Sequence, residues 1–89
     1  MSSQTSWVLK IDPAVFKTLK KIPRHDAEAV LMVIKFFPLN PYFGDIQKMK
    51  GEGNIWRRRV GAYRIFYKIT TTEKIILVFR LERRTSKTY

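Results

Sequence analysis

Trp56-Arg57-Arg58-Arg59-Val60-Gly61-Ala62-Tyr63-Arg64-Ile65-Phe66-Tyr67 is the stretch on which the reading of this chain turns. Two strand-like segments, roughly 54–60 and 63–70, meet at Gly61-Ala62, a connection short enough for a tight β-hairpin. In the second segment Tyr63, Ile65, Tyr67 and Ile69 share one face while Arg64, Phe66 and Lys68 share the other, so a packed face and a basic face separate. In the first, Arg57 and Arg59 share a face opposite Trp56, Arg58 and Val60, so no single face takes all three arginines. Arginine forks interleaved with aromatics make a surface suited to phosphates. A second basic cluster, Arg83-Arg84-Thr85-Ser86-Lys87-Thr88-Tyr89, follows a strand able to carry it back toward the hairpin. Together the two clusters point to an RNA-binding or RNA-cutting site.

Reading outward, a third strand over 74–81 follows Thr71-Thr72-Glu73; it is apolar on both faces and is expected to lie centrally in the sheet, covered by the helices on one side. Near the start of the chain Trp7, Leu9 and Ile11 alternate with Val8 and Lys10, a short strand. Asp12-Pro13 then supplies an N-cap and a first-turn proline for a helix running to about Lys21. Val15, Leu19 and Ile22 fall on one side of that helix; Lys17, Lys20 and Lys21 occupy the other, a solvated face. After Ile22-Pro23 a second helix repeats Ala27, Val30, Leu31 and Ile34 at helical spacing and continues toward Phe37, giving an antiparallel helix hairpin. Pro38, Asn40, Pro41 and Gly44 mark a loop, and Asp45 to Gly53 reads as a basic loop beside the sheet. The expected fold is α+β, one domain over 1–89, with two N-terminal helices packed on a twisted, mainly antiparallel sheet of about four strands.

Charge is the strongest compositional signal. Lys and Arg total 18 against 7 Asp and Glu, a formal net charge of +11. Residues 53–89 carry ten bases against two acids, whereas residues 1–52 carry eight against five. A fold needs no such imbalance; a polyanion partner exploits it through counterion release. The absence of cysteine excludes a disulfide framework, thiolate zinc ligands and a cysteine nucleophile. One histidine, His25, at the start of the second helix, reads as a surface or capping residue, and with scattered carboxylates it builds no metal site. No metal or other cofactor is expected. The apolar run Ile75 to Phe79 is far short of the ~20 residues of a membrane helix, and Met1-Ser2-Ser3-Gln4 lacks the features of a secretion signal. A soluble cytoplasmic protein without a membrane partner is the expectation.

The order strand, helix hairpin, basic loop, three-stranded meander and basic-aromatic tail resembles the RelE/ParE superfamily of bacterial and archaeal type II toxins. The resemblance covers nearly the whole chain, and its most specific parts are Lys48-Met49-Lys50-Gly51 and the Trp56 to Tyr67 strand pair. The tail from Arg83 to Tyr89 is similar to the arginine and terminal tyrosine of the RelE branch. For that branch the resemblance implies a ribosome-dependent endoribonuclease that cuts messenger RNA in the A site and is held inactive by a cognate antitoxin. By position it implies Arg57 and Arg59 around the scissile phosphate, Arg64 as a phosphate-stabilising residue, Arg83 near the leaving group, and Tyr89 stacking on or orienting the nucleotide. Lys48, Lys50, Arg58, Arg84 and Lys87 would add RNA-binding charge. The superfamily also contains ParE-type toxins that act on DNA gyrase without a ribonuclease site, and a non-catalytic RNA-binding module would share the same basic surface.

Cleavage through the 2′-oxygen of RNA needs a proton acceptor, cations for the phosphorane, and an acid for the leaving oxygen. The arginines supply the cations. Arginine is too weak an acid to give up its proton, so Arg57 and Arg59 stabilise charge rather than act as bases. The base candidates are Tyr89 first, then Lys50, followed by Lys48, Glu52 and Glu82; alignment by the ribosome can supply much of the remaining rate. Trp56, Tyr63 and Tyr67 read as core or hairpin packing.

Overall fold

The computed structural model describes residues 7–51 and 53–83. The elements run β1 (Val8–Ile11), α1 (Pro13–Lys21), α2 (Arg24–Phe36), β2 (Ile46–Lys48), β3 (Ile55–Val60), β4 (Tyr63–Thr70) and β5 (Ile75–Arg83). The Asp12 side chain accepts the Ala14 N–H at 2.8 Å, so the expected cap and first-turn proline do open α1. Lys20 and Lys21 close that helix, where a positive charge complements the exposed carbonyls. The Ile22-Pro23 break separates α1 from α2.

The five strands form one sheet in the order β1-β5-β4-β3-β2. The expectation of about four strands in a mainly antiparallel sheet is corrected in two places. Ile46–Lys48, expected as part of a basic loop, is a short edge strand antiparallel to β3. It needs only one packed side chain, Ile46, to hold the edge, and such a pattern is too short to show in periodicity. β1 pairs with β5 in parallel, while the other three pairings are antiparallel. Strand direction follows from where the two intervening helices return the chain, which no local pattern encodes. β5 is interior, as its apolar faces imply, but β4 is the middle strand.

Both helices lie on one face of this sheet. Val15, Leu19, Val30, Ile34 and Phe37 meet Tyr63, Ile65, Tyr67, Ile69, Ile76, Val78 and Leu81 in a single buried cluster. Each such aliphatic or aromatic side chain contributes roughly 1.5–3 kcal/mol by leaving water. Phe37 stacks on Tyr67 with ring centroids 4.4 Å apart, and the Tyr67 hydroxyl donates to the Pro41 carbonyl at 2.8 Å. Thus the core tyrosine also fixes the loop after α2. A second tether joins α2 to the sheet, where the Tyr63 hydroxyl donates to Asp26 Oδ2 at 2.7 Å. The hairpin turn has Gly61 at φ +57, while Ala62 keeps negative φ, the pattern that lets a two-residue turn follow the strand twist.

Candidate nucleic-acid interface

Cross-strand register assembles the open face of the sheet row by row. Arg59 lies opposite Arg64, which lies opposite Glu82. In the next row Gln47 faces Arg57, Arg57 faces Phe66, and Phe66 faces Arg80. Lys68 follows two residues beyond Phe66 on the same face. The expected alternation of β4 therefore holds: Tyr63, Ile65, Tyr67 and Ile69 are buried, while Arg64, Phe66 and Lys68 are partly or fully exposed. Five cations thus stand on a surface that no described helix covers, with Glu82 as its carboxylate.

The partners of these cations differ. Arg59 Nε is 3.1 Å from Asp45 Oδ2, Arg57 donates to the Gln47 amide oxygen, and Arg80 is ion-paired with Glu82. The Arg64 side chain has no hydrogen bond or ion pair among the described residues, although Arg59 sits directly across from it. Like charges in that position oppose folding, and an anion bound between them reverses the sign of the interaction. Arginines arranged in this way can fork onto phosphate oxygens.

A β-bulge shapes the centre of the face. The register of β4 against β5 shifts between Phe66 and Tyr67, so that Phe66 faces Arg80 and Tyr67 faces Val78, leaving Phe79 as the extra residue. Phe79 and Phe66 have ring centroids 6.5 Å apart, and the Arg80 guanidinium lies 5.5 Å from the Phe66 centroid. The sequence reading placed Phe66 on the basic face but missed Phe79 and Arg80. The arrival of Arg80 beside Phe66 depends on the bulge, and a strict two-residue period cannot show it.

The same bulge separates residues that the sequence reading grouped. Past it the parity of β5 changes, so Arg83 pairs with Tyr63 on the helix-covered side, its guanidinium 5.9 Å from the Tyr63 centroid. Arg83 therefore reaches the hairpin, as expected, but at the rim of the other face from Arg57, Arg59 and Arg64. Arg58 is also on the helix side: its Nη1 donates to the Phe43 carbonyl at 2.9 Å and its guanidinium lies 4.7 Å from the Phe43 centroid. Gly44, at φ +89, gives this guanidinium room, because a Cβ there would run into it. Lys48 pairs with Trp56 at the edge of the helix side, and Lys50 is exposed in the turn beyond. Glu52, Arg84, Lys87 and Tyr89 lie outside the described residues. His25, 96% exposed in its side chain, stands at the start of α2 beside Asp26.

Two tyrosines are perturbed, both on the helix side. Burial pushes the Tyr67 phenol well above its ordinary value, with Arg58 pulling weakly the other way. The hydrogen bond to Asp26, helped by desolvation and by that carboxylate's charge, raises Tyr63, while Arg83 opposes the shift. Neither is suited to act as a base at neutral pH. Among the described residues no cluster of His, Cys, Asp or Glu can hold a metal ion, and no helix is long and apolar enough to cross a membrane.

The sequence and the fold both resemble known proteins. Residues 9–87 match the family model described as ParE toxin of the type II toxin-antitoxin system parDE. The curated RelE1 protein of Methanocaldococcus jannaschii is 28% identical over 79 residues, covering 85% of this chain and 88% of its own length. The fold is similar to that of the archaeal RelE-RelB complex from Pyrococcus horikoshii OT3, with a TM-score of 0.80 and 25% identity over 93% of this chain and 100% of that one. The RelB-RelE antitoxin-toxin complex from Methanococcus jannaschii gives a TM-score of 0.70 and 26% identity over 83% of this chain and 88% of that one. Isolated E. coli RelE shares the fold, with a TM-score of 0.77 at 14% identity over 92% of this chain and 88% of that one.

Proposed function

We propose that this chain, which belongs to the RelE/ParE superfamily of type II toxins, is a ribosome-dependent endoribonuclease that cuts messenger RNA by attack of the 2′-oxygen on the adjacent phosphate. The observation that carries this reading is the Arg59–Arg64 pair on the uncovered face, with Arg57 in the neighbouring row. Arg64, unengaged among the described residues, is the residue we assign to the phosphorane, with Arg57 and Arg59 holding the flanking phosphate oxygens. Preorganised cations act where charge develops, and removing one such donor costs roughly 10²–10³ in rate. Arg83, at the rim beside Tyr63, is assigned to the leaving-group end of the strand, and Tyr89 to nucleotide orientation. Lys48, Lys50, Arg58, Arg84 and Lys87 supply longer-range attraction for RNA. The proton acceptor is assigned to Tyr89 or Lys50, and the ribosome supplies alignment of the substrate. No cofactor enters the mechanism.

A cognate antitoxin is the second partner in this reading, supported by the two archaeal relatives solved together with RelB. The net charge of +11 suits an acidic, amphipathic segment that orders as it binds. The test is primer extension on a defined messenger RNA in a reconstituted translation system, with and without ribosomes. Cuts that need ribosomes and are lost in Arg64→Ala support the reading. The match to the ParE model favours one other reading, inhibition of DNA gyrase; loss of supercoiling in a gyrase assay together with intact messenger RNA would select it.

A further inference from the structure

We propose that Phe66, flanked by Phe79 and Arg80, is a stacking platform for one unpaired base of a single-stranded RNA whose phosphates lie on Arg57, Arg59 and Arg64. The inference rests on reading the open sheet face as an RNA site, and it adds a recognition element that the arginines alone do not provide. Phe66 sits mid-strand on the middle strand, in register with Arg57 on one side and Arg80 on the other. Arg64 is two residues away on the same face, about 6.6 Å along the strand. A phosphate held by Arg64 therefore leaves its neighbouring base within reach of the ring.

Phe66, between Arg64 and Lys68 on the uncovered face, is only partly buried when the chain is alone. The bulge brings Arg80 into register with Phe66, and a second ring, Phe79, lies beside it with centroids 6.5 Å apart. Bulges commonly re-aim side chains next to binding sites. Arg80 lies over the Phe66 ring, yet its side chain is 60% exposed and its ion pair with Glu82 is at the surface, so it can shift aside or accept the base on its guanidinium plane. Aromatic rings beside a basic track are the usual means of holding single strands without reading their sequence. The platform takes any base, with purines stacking over the larger area.

The test is anisotropy of a fluorescein-labelled oligoadenylate bound to the whole chain at low salt, without ribosomes. Phe66→Leu keeps the apolar volume and removes the π-face; its affinity should fall about tenfold, within the range for losing one stacked base. A strand of equal length built of abasic units should bind parent and Phe66→Leu equally. Phe66→Trp should retain the parental affinity, and its added indole emission should be quenched by the oligoadenylate. Equal binding of parent and Phe66→Leu to oligoadenylate overturns the proposal. So does an equal loss on the abasic strand, which would mean the substitution acts through the arginines, and so does failure of the parent to bind. If binding behaves as expected while ribosomes yield no cleavage, the ribonuclease reading fails and the platform stands.

Discussion

The two faces of β4 divide its eight residues between opposite ends. On one side Tyr63, Ile65, Tyr67 and Ile69 are buried under the helices; on the other Arg64 and Phe66 are partly exposed and Lys68 fully so. The buried side holds the molecule together through packing and two tyrosine hydrogen bonds, to Asp26 and to the Pro41 carbonyl. The open side concentrates like charge, with Arg59 directly across from Arg64, an arrangement that a structure optimised only for stability would avoid. Stability and proposed activity are thus assigned to alternate residues of one strand. Adjacent positions should therefore respond to mutation in different assays.

The largest break in that division comes from Ile65→Ala. Ile65 is fully buried, so truncation should cost about 2–5 kcal/mol in urea unfolding, and any activity lost should track the unfolded fraction. Its neighbour Arg64→Ala should reverse the pattern: ribosome-dependent cleavage falls roughly 10²–10³-fold, while stability changes by no more than about 0.5 kcal/mol. Stability loss in Arg64→Ala comparable to that of Ile65→Ala would show that the faces are not independent.

Tyr67→Phe sharpens the comparison. It keeps the ring stacked on Phe37 but leaves the Pro41 carbonyl without its donor, for an expected loss of about 1–2 kcal/mol. The same phenol gives a pH signature. Its folded pKa is raised above the ordinary value near 10 that it regains on unfolding, so the folded state binds more protons between the two values. Stability should be level below about pH 10 and fall as pH rises beyond it. Tyr63, raised by its bond to Asp26, adds to the fall in the same direction. Thermal melts across that range should show a shallower decline for Tyr67→Phe. The smallest effect is expected from Asp45→Asn, which removes the surface ion pair with Arg59 and should change stability by less than about 1 kcal/mol.

How much of this was legible in the sequence depends on whether a feature is local. The alternation of β4, the Asp12-Pro13 helix start and the break at Ile22-Pro23 were each set by neighbouring residues and were readable. The assignment of Tyr63 and Tyr67 to the core followed from the same alternation. Ile46–Lys48 was not readable as a strand, because it owes its pairing to β3. Nor was the parallel pairing of β1, which depends on the path through α1 and α2. The bulge at Phe79 had the widest consequence, since it moves Arg80 onto the open face and sends Arg83 to the Tyr63 side. Alternation already placed Arg58 opposite Arg57 and Arg59, and the structure shows what it does there: it clamps the Phe43–Gly44 loop.

The most direct test of the division between faces is to measure unfolding free energy and ribosome-dependent messenger RNA cleavage on the same preparation of Arg64→Ala, beside the parent chain. The expected result is parental stability together with cleavage lost by at least about 10². Undiminished cleavage by a folded Arg64→Ala protein would contradict it, and would remove the open face from the proposed chemistry.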